Sequence, residues 1–191
     1  GPEDLAALAA LGQSSAVIEA RFSRGDRVAA LVHDERIVAY AWYRGQSEPN
    51  RALRFEIEPG AVWGYDLLVS PECRGRRLAA RVLDWAETAL AGEGAQRIVS
   101  TIDVFNVPPL RVAARRGATR LGTVLVVRAA GITVRREAWS GRRPRWSVDR
   151  GAGVVPVPRA DGARPLRAGL RGRAAAPRPP LPSGGHGAGA R

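Results

Sequence analysis

Lysine and methionine are both absent from these 191 residues, so all 30 basic side chains are arginines. That bias fits a GC-rich coding sequence. Without an initiating methionine the chain is expected to be a fragment, a processed product or a tagged form, and a leader ahead of residue 1 is left open. The single cysteine, Cys73, excludes an intramolecular disulfide and a cysteine-rich metal site. It reads as a loop thiol rather than a nucleophile. Histidine occurs only in the turn HDER (His33) and in a glycine-rich stretch (His186), so a two-histidine metal site is not expected. No apolar run approaches the roughly 18 residues of a membrane span, and no signal peptide is visible. A cytoplasmic protein with no membrane partner and no metal is the expectation.

Acidic residues are also scarce, but only in one place. The net charge of +12 divides into +3 for residues 1–140 and +9 for residues 141–191. The second stretch is dense in Pro, Gly and Arg and has almost no aliphatic periodicity. It cannot bury enough apolar surface to offset its ordering entropy. We therefore expect one folded domain over 1–140 and a disordered tail over 141–191. The tail is either a genuine low-complexity basic segment or a frameshifted read of GC-rich DNA.

Within 1–140 the patterns alternate between helix and strand. Pro2–Leu11 and Ala16–Ser23 read as helices, the second capped by Ser14-Ser15. Arg27–Val32 and Arg36–Tyr43 flank HDER as a hairpin. Ala52–Glu58 alternates as a half-buried strand. Val62–Val69 is a strand that breaks at Ser70-Pro71. Leu78–Leu90 has helical apolar spacing. Arg97–Val104 is β-branched and reads as a buried strand. Asn106 starts a helix that runs to Gly117, and Thr119–Ala129 and Ile132–Trp139 are two further strands.

The stretch Val62–Ala79, VWGYDLLVSPECRGRRLA, organises the rest. A strand, a basic glycine-containing turn and a helix start make an anion site, because unpaired N–H groups and the helix dipole converge there. RGRRLA resembles the acyl-CoA signature of the GNAT superfamily of N-acetyltransferases, Gln/Arg-x-x-Gly-x-Gly/Ala. Arg74 takes the Gln/Arg place and Ala79 the last small place, while Arg77 replaces the middle glycine. A second motif of that family, Asn-x-x-(Ser/Ala)-x-x-Leu-Tyr-x-x-x-Gly-Phe, is matched at Asn106, Val112 and Gly117. The resemblance spans about residues 2–139. It implies an α/β fold with a mixed, mainly antiparallel sheet, splayed between its fourth and fifth strands, and helices on both faces. It also places a first strand before residue 1, so one sheet edge would be truncated.

The resemblance further implies acetyl-CoA as acyl donor. One N–H of Leu67, Leu68 or Val69, with Leu68 preferred, would polarise the thioester carbonyl. The strand edge ending at Leu68 and Val69 would pair with the pantetheine arm. The turn Arg74–Ala79, through Gly75, would hold the pyrophosphate. Arg76 and Arg77 would pair with phosphates or stay solvated. Asn106 would touch the CoA arm or merely cap its helix. Asp66 is the nearest candidate base, its pKa raised by burial in the splay, with Glu56 and Glu58 as alternatives. The tyrosine that the family often uses as general acid is replaced by Ala113, and Tyr65 is the substitute. Trp42, Tyr43 and Trp63 are either acceptor-pocket walls or core.

Three functions follow. The first is N-acetyl transfer from acetyl-CoA directly to a small-molecule or peptide amine. The second is a degenerate acyl-CoA-binding domain without turnover. The third, least favoured, is nucleic-acid binding by the arginine-rich tail. The acceptor, the acyl group and the oligomeric state, a homodimer included, are left open.

Overall fold

A computed structural model describes residues 4–45, 49–50, 53–130, 132–150, 153–158 and 166. Two helices come first, α1 (Asp4–Ala9) and α2 (Ser15–Ser23). Ser14 caps α2 by accepting from the Val17 N–H. Strands β1 (Arg27–His33) and β2 (Arg36–Arg44) form the expected hairpin, with Arg27 opposite Tyr43. Then come β3 (Pro49–Asn50), β4 (Leu53–Glu56) and β5 (Ala61–Val69). A 3₁₀ turn (Pro71–Cys73) leads to α3 (Leu78–Gly92), β6 (Arg97–Val99) and α4 (Val107–Arg115). The chain continues through β7 (Gly122–Ala129), β8 (Ile132–Trp139), β9 (Arg145–Arg150) and β10 (Gly153–Pro156).

The principal sheet has the order β1-β2-β5-β6. Its first three strands are antiparallel, and β6 joins β5 in parallel. Strand β2 is its centre, and Ile37–Tyr43 are all buried. Alternate side chains serve opposite faces. Ala41 and Tyr43 pack with Val82, Ala86 and Leu90 of α3, whose four-residue spacing makes one helical stripe. Tyr40 and Trp42 pack with Leu8 of α1 and Ile18 of α2. Helices therefore cover both faces of this sheet, which is why β2 reads as a continuous apolar run rather than an alternation.

Two smaller sheets complete the fold, ordered β10-β4-β3 and β7-β8-β9. They meet the principal sheet through an apolar cluster of Leu53, Phe55, Trp63 and Val155, with Val99, Val124 and Trp139 against it.

Three expectations change. Strand β4 pairs with β3 and β10, not with the principal sheet. Strand β6 stops at Val99 instead of Val104, because β5 has by then turned away from it. The folded part also continues past residue 140. Strand β9 pairs with β8 and β10 lies parallel to β4, with Val155 fully buried. Composition alone hid these strands. The Trp146 and Val148 alternation supplies a strand, and Val155 supplies the apolar anchor. Residues 151–152, 159–165 and 167–191 of the expected tail lie outside the described residues, as do Gly1–Glu3.

Candidate active site

The site begins where two strands part. Strand β6 accompanies β5 for three residues only, with Ala61 opposite Arg97, Val62 opposite Ile98 and Trp63 opposite Val99. Beyond Trp63 the β6 edge of β5 has no partner strand among the described residues, while its other edge stays paired with β2 out to Val69. This is the expected splay. Gly64 sits at the fork, and a Cβ there would lie 3.0 Å from Ile98 Cγ2 and 3.3 Å from Tyr43 Cε1. Only a residue without a side chain fits without displacing them.

Asp66 supplies a β-bulge. Tyr65 faces Trp42 and Leu68 faces Tyr40, so three steps on β5 match two on β2. Asp66 takes the left-handed conformation, φ +51°, which aspartate tolerates better than most residues. The bulge decides which amides look into the splay. The Ser70 N–H donates to Val38 O on the β2 side at 2.9 Å. Successive groups along a strand alternate sides, so Leu68 also faces β2, whereas Leu67 and Val69 point their N–H and C=O groups into the opening. The amide of Leu68, preferred from the sequence as the polarising donor, therefore faces away from the opening.

Below the splay the chain turns into α3. Ser70 is buried, Arg74 is extended, Gly75 has φ +79° and Arg77 has φ +59°. The replaced glycine of the motif thus falls on a left-handed position, where an arginine costs about 1 kcal/mol. Helix α3 has no side-chain cap, and its first internal bond runs from the Arg81 N–H to Arg77 O. The N–H groups of Leu78, Ala79 and Ala80 have no helical acceptor. Arg74, Arg76 and Arg77 are exposed around them. Arg74 also reaches back, its Nε 3.5 Å from Val69 O. One carboxylate, Glu72, shares the turn. The Ser70 hydroxyl, its own N–H and Arg36 and Arg74 hold it below its ordinary range.

The expected base and acid are already engaged. Asp66 is exposed rather than buried in the splay, and it pairs with Arg21 Nη1 at 2.7 Å and accepts from Gln13 Nε2. Tyr65 donates its hydroxyl to Asp26 Oδ2 at 2.7 Å. Glu58 pairs with Arg97, and Glu56 is exposed. Trp42, Tyr43 and Trp63 are at most 3% exposed and belong to the core.

Sequence reasoning missed the network around Asp26. This buried carboxylate accepts from Arg44 Nε at 2.6 Å and Nη2 at 2.8 Å, from Tyr65, and from Arg24 at 3.2 Å. Burial pushes its pKa up, but the Arg44 and Tyr65 hydrogen bonds and the Arg44 charge outweigh that and hold it below the usual range. Arg21 lies over the rings of Trp42 and Tyr65, at 4.9 and 5.1 Å from their centroids. The network ties the end of α2, the end of β2 and the residue before the bulge together. Nothing local in the sequence joins residues so far apart.

On the other flank, Asn106 stands at the start of α4 without a side-chain cap bond. Its amide is therefore not committed to capping. Arg116 fastens α4 to α3 through Ala80 O at 3.1 Å, Glu87 at 2.6 Å and Asp84. Ala113, in the place of the family's tyrosine, lies within α4 and offers no proton. Among the described residues no cluster of His, Cys, Asp and Glu could hold a metal. None of the described helices is long and apolar enough to cross a membrane.

Comparison with known proteins agrees with this geometry. Residues 9–118 match the acetyltransferase (GNAT) family. An aminoglycoside N-acetyltransferase, AAC(6')-Iy, solved in complex with CoA, superposes with a TM-score of 0.55 at 15% identity, over 68% of this chain and 95% of that one. An N-acetyltransferase from Staphylococcus aureus Mu50 superposes at 0.51 and 14% identity, over 66% and 83%. The ribosomal-protein-S18-alanine N-acetyltransferase of Escherichia coli does so at 0.51 and 12%, over 64% and 75%. At such identities the likeness concerns the fold. No curated protein sequence matches the chain. The family match covers more than half of the residues, and the chain belongs to the GNAT acetyltransferase family.

Proposed function

We propose that the protein is an N-acetyltransferase that moves an acetyl group from acetyl-CoA directly to an amine. One observation carries this reading. Strand β5 pairs with β6 as far as Trp63, has that edge open among the described residues from there to Val69, and leads into a helix whose first N–H groups have no side-chain cap. An extended arm ending in a diphosphate is the ligand that such an edge and such a helix start would pair with together. In this reading the N–H groups of Leu78–Ala80 and the guanidinium groups of Arg76 and Arg77 hold the pyrophosphate. The Val69 or Leu67 N–H polarises the thioester carbonyl, where negative charge develops on oxygen. Asn106, free of capping, borders the arm.

We route the proton differently from the sequence expectation. Asp66 would have to leave Arg21 and Gln13 to act as base, and Tyr65 would have to leave Asp26 to act as acid. We therefore give both a positioning role and pass the amine proton to water. A thiolate leaves readily without strong acid help, its pKa being only about 8.5. A cytoplasmic setting fits a donor made there. The engaged state of Asp66 and Tyr65, with Ala113 in the acid's place, also favours a second reading: a domain that binds acyl-CoA without turnover.

Calorimetric titration of the full chain with acetyl-CoA tests the binding claim. Saturable heat is expected, and Gly75→Glu should abolish it by adding bulk and like charge beside the phosphates. No heat with the wild type, or unchanged affinity in the variant, overturns the assignment. Thiol release with a panel of amines then separates the two readings, since only the enzyme shows it.

A further inference from the structure

A surface cavity of about 350 Å³ opens between the β8–β9 turn and the end of β10. Arg142, Arg143 and Arg145 line it, together with Glu137 and Trp139 of β8. The run Pro156–Pro158 completes the wall. All three arginines are exposed, and none has a carboxylate partner among the described residues. The one lining carboxylate is already occupied. Glu137 Oε1 lies 2.8 Å from Arg135 Nε, and its Oε2 accepts from Trp139 Nε1 at 3.0 Å. The cavity is therefore cationic, with a flat apolar side.

Its position links it to the splay. Trp139 and Val157 belong to the same apolar cluster as Trp63, Tyr65 and Val99. Trp63 and Val99 are the last paired residues before β5 and β6 separate. The cavity thus backs onto the root of the fork. An arm anchored at Arg74–Ala79 and running back along β5 delivers its far end to that root.

We propose that this cavity receives the acceptor, and that the acceptor is an amine carrying a carboxylate or phosphate on a small apolar body. This rests on the acetyltransferase reading. Guanidinium groups bind such anions through paired, directional hydrogen bonds, while Trp139 and the prolines pack the body. The amine nitrogen forms a bond to the acetyl carbon, the carbon–sulfur bond breaks, one amine proton passes to water, and coenzyme A leaves as the thiol. The arginines, exposed at a rim, select the anionic group and hold it.

The test follows thiol release from acetyl-CoA with alanyl-glutamate, alanyl-phosphoserine and the neutral alanyl-glutamine amide. The acidic dipeptides should exceed the neutral one by about tenfold or more in kcat/KM, and the better of the two identifies the anion. The double variant Arg143→Glu, Arg145→Glu should erase that preference through KM, with CoA affinity unchanged. Equal rates for the three dipeptides, or a preference that survives in the variant, overturns the proposal. Should the wild type fail to bind CoA, the acetyltransferase reading falls by itself. Calorimetric titration with alanyl-glutamate, which needs no CoA, then decides the cavity: binding lost in the double variant supports it, and no binding to the wild type overturns it.

Discussion

The two sheets that flank the fork treat charge in opposite ways. In the principal sheet the buried charge is confined to one margin and fully met: Asp26 takes hydrogen bonds from Arg44, Tyr65 and Arg24. In the β7-β8-β9 sheet Thr133, Arg135 and Glu137 are buried along the middle strand. Arg135 lies within 2.8 Å of Glu137 and 3.3 Å of Asp149, yet its Nε and Nη1 line up no hydrogen bond. Meanwhile Leu125, Val127, Ile132, Trp146 and Val148 face outward. A buried charge held by aligned partners stabilises its surroundings. A buried charge held only by proximity repays less of its desolvation.

Removing Asp26 should break this contrast most strongly. Asp26→Ala takes a buried acceptor from Arg44, Tyr65 and Arg24 at once and should cost about 3–5 kcal/mol in denaturant unfolding at neutral pH. The sign with pH follows from the lowered carboxyl. Its folded-state pKa lies below the unfolded value, so its contribution is complete above about pH 4 and fades as pH falls through the lowered value. Wild type and Asp26→Asn should therefore converge in stability on acidification. Parallel curves down to strong acid would refute the linkage.

The second test exchanges the ill-aligned pair for apolar side chains of similar size. Arg135→Met with Glu137→Leu should leave stability unchanged or raise it by about 1–3 kcal/mol. A loss comparable to that of Asp26→Ala would mean that both sheets hold their charges equally well. The smallest effect belongs to the outward face. Leu125→Thr and Val148→Thr should each shift the unfolding free energy by no more than about 0.5 kcal/mol. A larger loss would show that this face is covered.

This contrast also explains what could be read from the sequence. The apolar runs on either side of HDER announced a hairpin, and helical spacing announced α3. The turn Arg74–Ala79 was legible because three features coincide there: a proline stop, a glycine and a helix start. In β7 and β8 the strand character was visible, but it does not say which face is inside, and β9 was hidden in a stretch read as tail. The Asp26 network and the Arg116 clamp escaped because their members are brought together only by the fold. The direction of the Leu68 amide escaped because one inserted residue sets it, and an aspartate in mid-strand is no more than a hint.

That inserted residue has a further consequence. Asp66 acts as a phase shifter for everything downstream on β5. If Asp66 instead kept step opposite Ala41, as in a regular ladder, Leu67 rather than Leu68 would stand opposite Tyr40, and the amides of Leu67 and Val69 would swing toward β2 while that of Leu68 swung into the gap. The helix entry would advance by one strand step, about 3.3 Å. The bulge therefore governs both the parity of the cleft and its length.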